Sequence, residues 1–263
     1  MINSMQIAIM KKDLWGLVFN KRLFPVLLIV PLVFTVVMPT IFIMVIHFAP
    51  DEMNQIDRLL ELLPMETQGV SQEQILMGLI FNSILPIFFM IIPIMTATVM
   101  AASSFVGEKE KRTLETLLYC PLSLRQIFQS KILASFILSM LVSLGSFLVM
   151  LLAVELEVLL TTGSLLLPNA NWLVIMLLIS PSISLIAITL IVRGSAKSQT
   201  MEEAQQRAVF LILPILLLVI GQFTGLFLIN WWLLLGLGAA FSLIAALLLR
   251  RGIGRFDYES LLR

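Results

Sequence analysis

AVFLILPILLLVIGQFTGLFLINWWLLLGLGAAFSLIAALLL, from Ala208 to Leu249, runs for 42 residues without a charged side chain. As one helix, at 1.5 Å per residue, it would be roughly 63 Å long. That is about twice the hydrocarbon thickness of a bilayer. The stretch therefore has to turn back near its middle. Asn230 followed by Trp231 and Trp232 marks the place, because Trp favours the membrane–water interface. Two helices are predicted, over 208–229 and 231–249. Gly221 and Gly225 give the first a G-x-x-x-G spacing that lets backbones approach closely. Gly236, Gly238, Ala239 and Ala240 give the second a similar small face. Packing is the plainer reading of both; a ligand contact is the other.

Outward from this segment the same pattern repeats. Charges divide the chain into further uncharged stretches, Leu23–Pro50, Gln74–Gly107, Ile132–Val154 and Val158–Val192. Each is long enough for a span of about 20 residues. In the last, Thr161 to Asn171 holds Gly163, Pro168, Asn169 and Asn171 and reads as a loop, with Asn171 capping a helix from Trp172. The fold class is an all-α membrane protein with six transmembrane helices, at about 23–48, 75–106, 131–155, 172–192, 208–229 and 231–249, forming one domain over 1–263. Composition agrees: 59% of the 263 residues are hydrophobic and 13% charged, against about 25% charged in soluble domains. Of 17 Lys and Arg residues, 16 fall in 1–22, 108–131, 193–207 and 250–263, and only Arg58 on the other side. The positive-inside rule then places both termini in the cytoplasm, as an even number of spans requires. Met1 to Arg22 lacks the short apolar core and cleavage site of a removable signal peptide. One cysteine, Cys120, excludes an intrachain disulfide and a cysteine-rich metal site.

Pro25, Pro31 and Pro39 lie in the first span, Pro86 and Pro93 in the second. The carbonyls they free must find partners away from lipid, so they read as fixed bends or as hinges. No span interior carries a charge, whereas ion-coupled transporters commonly do. The polar groups in or beside spans are Asn82, Gln222 and Asn230, for which interhelical hydrogen bonding competes with a place on a pathway; Asn82, Gln222, Pro86 and Pro93 are the pathway or gating candidates. His47 is expected at the interface, and Glu155 and Glu157 at the outer end of helix three facing water. Ser71 with Gln74, and Thr200 with Glu203, have the spacing of capping boxes opening helices two and five.

The loop GEKEKRTLETLLYCPLSLRQIFQSK, Gly107 to Lys131, is more structured than a connector needs to be. Leu114, Leu117 and Leu118 are spaced for a short helix, Pro121 stops it, and Ser123 with Gln126 forms a capping box for a helix continuing into span three. Such a unit either lies on lipid headgroups or docks into a partner's groove.

This segment resembles the signature of the type-2 ABC exporter permeases. That signature runs Gly-Glu-basic-Glu-basic-Gly-Thr-Leu-Glu after helix two, then Leu-Leu-x-x-Pro-(Leu/Val)-Ser, then a Lys before helix three. Gly107, Glu108, Lys109, Glu110, Lys111, Thr113, Leu114, Glu115, Leu117, Leu118, Pro121, Ser123 and Lys131 match it. Arg112 stands where the family often has Gly, and Cys120 where a small residue is usual. Lys11–Phe24 is similar to the family's basic segment before helix one. The resemblance implies that Glu108, Lys109, Glu110, Arg112, Thr113, Leu114, Glu115, Leu118, Pro121, Leu122 and Arg125 form the element that couples to a separate cytoplasmic ABC ATPase. It implies a second permease chain, with ATP and Mg on the ATPase subunits, and a place in a bacterial or archaeal plasma membrane. Loop 194–208 would lie near the same partner.

The chain has no G-x-x-x-x-G-K-[ST] phosphate loop, no metal-binding cluster and no nucleophile–base pair. It is expected to be no enzyme, to bind no cofactor itself and no nucleic acid. The function expected is the permease subunit of an ATP-driven exporter of a hydrophobic or amphiphilic cargo. The alternatives are a sodium-type efflux permease of the same family and a self-sufficient channel or secondary transporter.

Overall fold

The computed structural model describes residues 4–21, 23–48, 72–113, 121–195, 198–208, 210, 212–223 and 231–253. Most of these are helical, with no strand among the described residues. Helix α1 is Ser4–Val18, α2 Leu23–Phe48, α3 Glu73–Glu110, α4 Leu124–Thr162, α5 Ala170–Gly194, α6 Met201–Ala208, α7 Ile212–Phe223 and α8 Trp231–Ile253. Five of them, α2, α3, α4, α5 and α8, are long and apolar enough to cross a membrane, and α7 is a shorter apolar helix.

Helix α3 is the hub of the bundle, buried over most of its length, with α4, α5 and α7 packed on it. Helix α4 has the inverted amphipathicity of a helix in lipid. Ser135, Ser139, Ser143, Met150, Val154 and Val158 are buried at helical spacing. Leu141, Leu144, Leu148 and Leu152 stand exposed on the other face, where leucine costs nothing against acyl chains. Helix α2 turns one stripe to the bundle, Leu27, Pro31, Thr35, Pro39, Ile43 and Ile46.

Helices α5 and α8 run parallel. Ser182 bonds Ser242 at 2.7 Å, and Arg193 Nη2 donates to the carbonyl of Leu248 at 2.8 Å, so both sequences advance together. Gly238 makes the approach possible: a Cβ there would lie 2.5 Å from Leu178 Cδ2. The expected small face of this helix is thus a single close point, since Gly236, Ala239 and Ala240 are exposed. The 42-residue stretch is broken into α7 and α8, and α8 begins at Trp231. Gly225 and Asn230 lie outside the described residues.

Prolines decide the shape of the spans. Pro39, Pro86 and Pro181 each stand two residues after a π-helical turn, at Val33–Val37, Ile80–Ile84 and Ile175–Ile179. A proline cannot donate to the carbonyl four residues back, and its ring presses on it; widening the preceding turn relieves that contact. Pro86 thereby frees the carbonyls of Phe81 and Asn82. Trp172 Nε1 donates to the first at 3.1 Å and Asn171 Nδ2 to the second at 3.0 Å. Trp172 itself packs among Phe81, Phe89 and Phe147.

Several boundaries move from those expected. Asn169, not Asn171, caps α5, its side chain accepting from the Asn171 amide at 3.0 Å. Asn171 is not free to cap because its own side chain serves α3. Helix α4 reaches from its Ser123 cap to Thr162, beyond the expected 131–155, and ends at Gly163, whose φ of 69° needs glycine. Glu155 and Glu157 lie within it and are engaged: Glu157 accepts from Thr40, and Glu155 from the Leu166 amide at 3.3 Å. Thr200 caps the separate α6 through the Glu203 amide, while Glu203 reaches back to the Gln199 amide; it does not open α7. The expected Ser71 cap lies outside the described residues.

Candidate functional site

The end of the bundle that carries the loop Gly107–Lys131 is built from four elements: the end of α3, the start of α4, α1 and α6. Helix α3 stops at Glu110 in a Schellman turn. The Thr113 amide donates to the carbonyl of Glu108 at 2.9 Å and the Arg112 amide to that of Lys109 at 3.0 Å, the paired 6→1 and 5→2 bonds of that motif. The residue between must be left-handed, and Arg112 has φ 56°. This is the position where the type-2 permeases often carry Gly, and the backbone supplies the reason. Beyond the loop, Ser123 and Gln126 close the expected capping box reciprocally, at 3.4 and 3.0 Å.

Between these two helix ends lies a buried ionic cluster. Lys131, 3% exposed in its side chain, points back toward α3. It donates to the carbonyl of Ser104 at 2.6 Å and to Ser104 Oγ at 3.3 Å. It lies 3.4 Å from Asp13 Oδ2 and 2.9 Å from Glu108 Oε2. The Glu108 contact is out of line for a hydrogen bond and acts as a charge–charge contact. Ser104 Oγ donates to Asp13, and Lys12 covers the open side, 2.8 Å from Glu108 Oε1. One lysine from α4 thus serves carboxylates from α1 and α3. A charge of either sign alone here would be costly, and a paired one is held rigidly. Beside the cluster, Gln6 Nε2 donates to the Gln126 carbonyl at 3.3 Å, and Ile9 packs with Ile127 and Leu122. Helix α6 docks on the end of α3, the Met201 amide donating to Glu110 at 3.3 Å. Met201 Sδ lies where a Cβ on Gly107 would come within 3.1 Å, so a larger residue there would require the Met201 side chain to shift.

The loop residues divide accordingly. Glu108 is buried. Glu110, Arg112, Thr113, Pro121 and Arg125 are exposed, Lys109 is half-buried, and Leu122 is half-buried against α1. Leu114, Glu115 and Leu118 lie outside the described residues. In the bundle interior, Pro86 and Pro93 are buried in α3. Asn82 is tied to the connector before α5, its Oδ1 accepting from the Asn169 amide at 2.9 Å. Gln222 is buried with neither side-chain amide atom hydrogen-bonded. Among the described residues, these sites are dispersed along the bundle.

Sequence reasoning passed over Asp13, Lys12, Ser104 and the bond-making serines of α4. Serine spacing was the available signal for the last group: Ser139 bonds the Pro93 carbonyl, Thr96 and Ser184, each at 3.0 Å.

A family model described as ABC-2 family transporter protein matches residues 7–230. The chain belongs to the ABC-2 transporter family. No curated protein and no solved structure gives a match. This ABC-2 chain is therefore a multi-pass membrane protein and the membrane, translocating part of an ABC transporter, rather than its ATPase.

Proposed function

We propose that this ABC-2 permease spans the membrane six times with both termini in the cytoplasm, pairs with a second permease chain, and exports a hydrophobic or amphiphilic cargo under the drive of a separate cytoplasmic ATPase. The observation that carries the reading is the segment Glu108–Arg125. It is anchored at Glu108 and at the Ser123 cap while Glu110, Arg112, Thr113 and Arg125 face outward. An element fixed at both roots and charged on its outer face suits a docking partner that must push on the bundle.

The parallel course of α5 and α8 supports the six spans. It returns the end of α8 to the side that holds α1, as an even number of crossings requires. The cytoplasmic assignment of that side rests on Lys and Arg placement. The hydrophobic cargo rests on the uncharged spans and on hydroxyl groups as the polar lining of the α3–α4–α5 core. ATP and Mg would be bound by the partner, and the membrane would be the plasma membrane of a bacterium or archaeon.

The test is co-purification of the native permease with its ATPase, followed by Arg125→Glu. Reversing this outward charge is expected to weaken the complex and its ATP turnover while leaving the permease folded. A charge reversal that leaves both unchanged would remove the docking assignment. Transport of a small hydrophilic ion as sole cargo, in reconstituted vesicles, would replace the exporter of apolar cargo with the sodium-type alternative.

A further inference from the structure

We propose that the cluster Asp13–Lys131–Glu108–Lys12 makes helix α1 a working part of the coupling element, so that α1 and the loop Gly107–Lys131 move as one body when the ATPase closes. This rests on the coupling role proposed above and names further positioning residues for it, Asp13 and Lys131, neither of which belongs to the loop's outward face.

The geometry points there for three reasons. First, Lys131 is shared. It reaches Asp13 on α1 at 3.4 Å and Glu108 on α3 at 2.9 Å from a single buried nitrogen. Moving α1 away from α3 would break two charge contacts at once, Asp13 with Lys131 and Lys12 with Glu108, and would open the nearly dry site to water. Such separation is resisted, because the buried charges of the cluster are satisfied by one another. Second, the contacts are distributed along α1: Gln6 bonds the Gln126 carbonyl, Ile9 packs on Ile127, and Lys12 holds Glu108. A helix gripped over more than two turns follows its support as a rigid piece. Third, the cluster touches both roots of the loop, Glu108 at the end of α3 and Lys131 just inside α4. A displacement of the loop is therefore delivered to α1 from both sides at once.

A merely structural cluster would stabilise the fold and carry no motion, so the experiment reads motion. In a Cys120→Ser background, an environment-sensitive fluorophore is placed at Lys11→Cys on the exposed side of α1, or at Gln129→Cys on the exposed side of the start of α4, beside the loop root. The permease–ATPase complex is reconstituted in lipid nanodiscs and given ATP with vanadate. With the native cluster, both labels are expected to respond with the same nucleotide dependence. In the neutral variant Asp13→Asn/Glu108→Gln/Lys131→Met, which removes the three buried charges together and leaves only the exposed Lys12, the Gln129→Cys label still responds. The Lys11→Cys response falls by about tenfold, within the usual range for coupling between sites. The proposal is overturned if the α1 label stays silent in the native cluster while the α4 label responds. An α1 response undiminished in the neutral variant overturns it too. Should the neutral variant fail to fold, the native pair of labels alone decides. A silent pair, or an ATPase that does not bind, instead removes the coupling reading on which the proposal stands.

Discussion

The two ends of helix α3 are held by different chemistry. At the end near Ile80–Ile84 the polar groups that need partners are backbone carbonyls, released by Pro86 and received by Trp172 and Asn171. At the end near Glu108 they are full charges, received by Lys131 and Lys12. Within lipid depth, carbonyls freed from a helix must be satisfied by groups of the protein, and neutral side chains suffice. Charges are tolerated where lysine stems can carry the amine to a carboxylate near the interface. The difference teaches where each end can yield. A carbonyl can exchange one neutral donor for another, whereas an ionic cluster stays whole or fails as a unit.

The largest effect is expected at the charged end. Lys131→Met takes from Asp13 and Glu108 the buried cation they share. Removal of one partner of a buried pair costs about 3–5 kcal/mol, enough to lower the thermal midpoint in nanodiscs by many degrees. Neutralising Asp13 and Glu108 as well should restore most of the loss, because no buried charge is then left without a partner. A midpoint that stays low in the neutral triple variant would mean that the lysine acts through packing, over the Phe105 ring 5.6 Å away, more than through charge.

Next come the packed helices of the opposite region. Gly238→Ala would place a methyl 2.5 Å from Leu178 Cδ2 and 3.2 Å from Ile179 Cγ1. Overpacking of this kind costs about 1–3 kcal/mol. Gly236→Ala, at an exposed position, should be neutral or slightly stabilising in the same melting experiment. Trp172→Phe follows, at about 1–2 kcal/mol, since it leaves the Phe81 carbonyl without a donor in a buried place. Here a second substitution sharpens the comparison. Pro86→Ala in the Trp172→Phe chain restores an amide to α3, and should recover part of the loss if the orphaned carbonyl is its source. A loss equal in both backgrounds would assign it to the aromatic packing with Phe89 and Phe147.

The spans were legible because the exclusion of charge from lipid is written residue by residue. Leu23–Phe48 emerges with the bounds read from the sequence, and the Ser123–Gln126 cap with its partners. Of the loop, the cap was legible because its signal is local, whereas Leu114, Leu117 and Leu118 lie outside the described residues. The ionic cluster was not, because Asp13 and Lys131 are 118 residues apart and their pairing depends on where α1 lies. On sequence alone Lys131 is the signature's Lys before helix three, and nothing there names Asp13 as its partner. The π-helical turns were hidden for a related reason. Proline marks a defect, but that the carbonyls freed by Pro86 are received by Trp172 and Asn171 depends on where α5 lies. Asn169 was passed over for Asn171 because both have the side chain for a cap, and only the fold engages the second elsewhere.

The smallest effect tests the join between backbone and coupling surface. Arg112 occupies the left-handed position of the Schellman turn that ends α3. There an L-residue carries a cost of roughly 1–2 kcal/mol, which glycine avoids at the expense of a more flexible unfolded chain. Arg112→Gly should therefore raise stability by a net of about 0.5–1 kcal/mol. Arg112→Val should lower it, because a branched Cβ is poorly tolerated at positive φ. Both remove the same charge and so separate the two roles of the residue. If ATP turnover of the complex falls equally in both, the guanidinium touches the partner and the gain in stability is irrelevant to it. If Arg112→Gly keeps full turnover while Arg112→Val loses it, what the partner reads is the direction in which the loop leaves α3, and that direction is set by the turn.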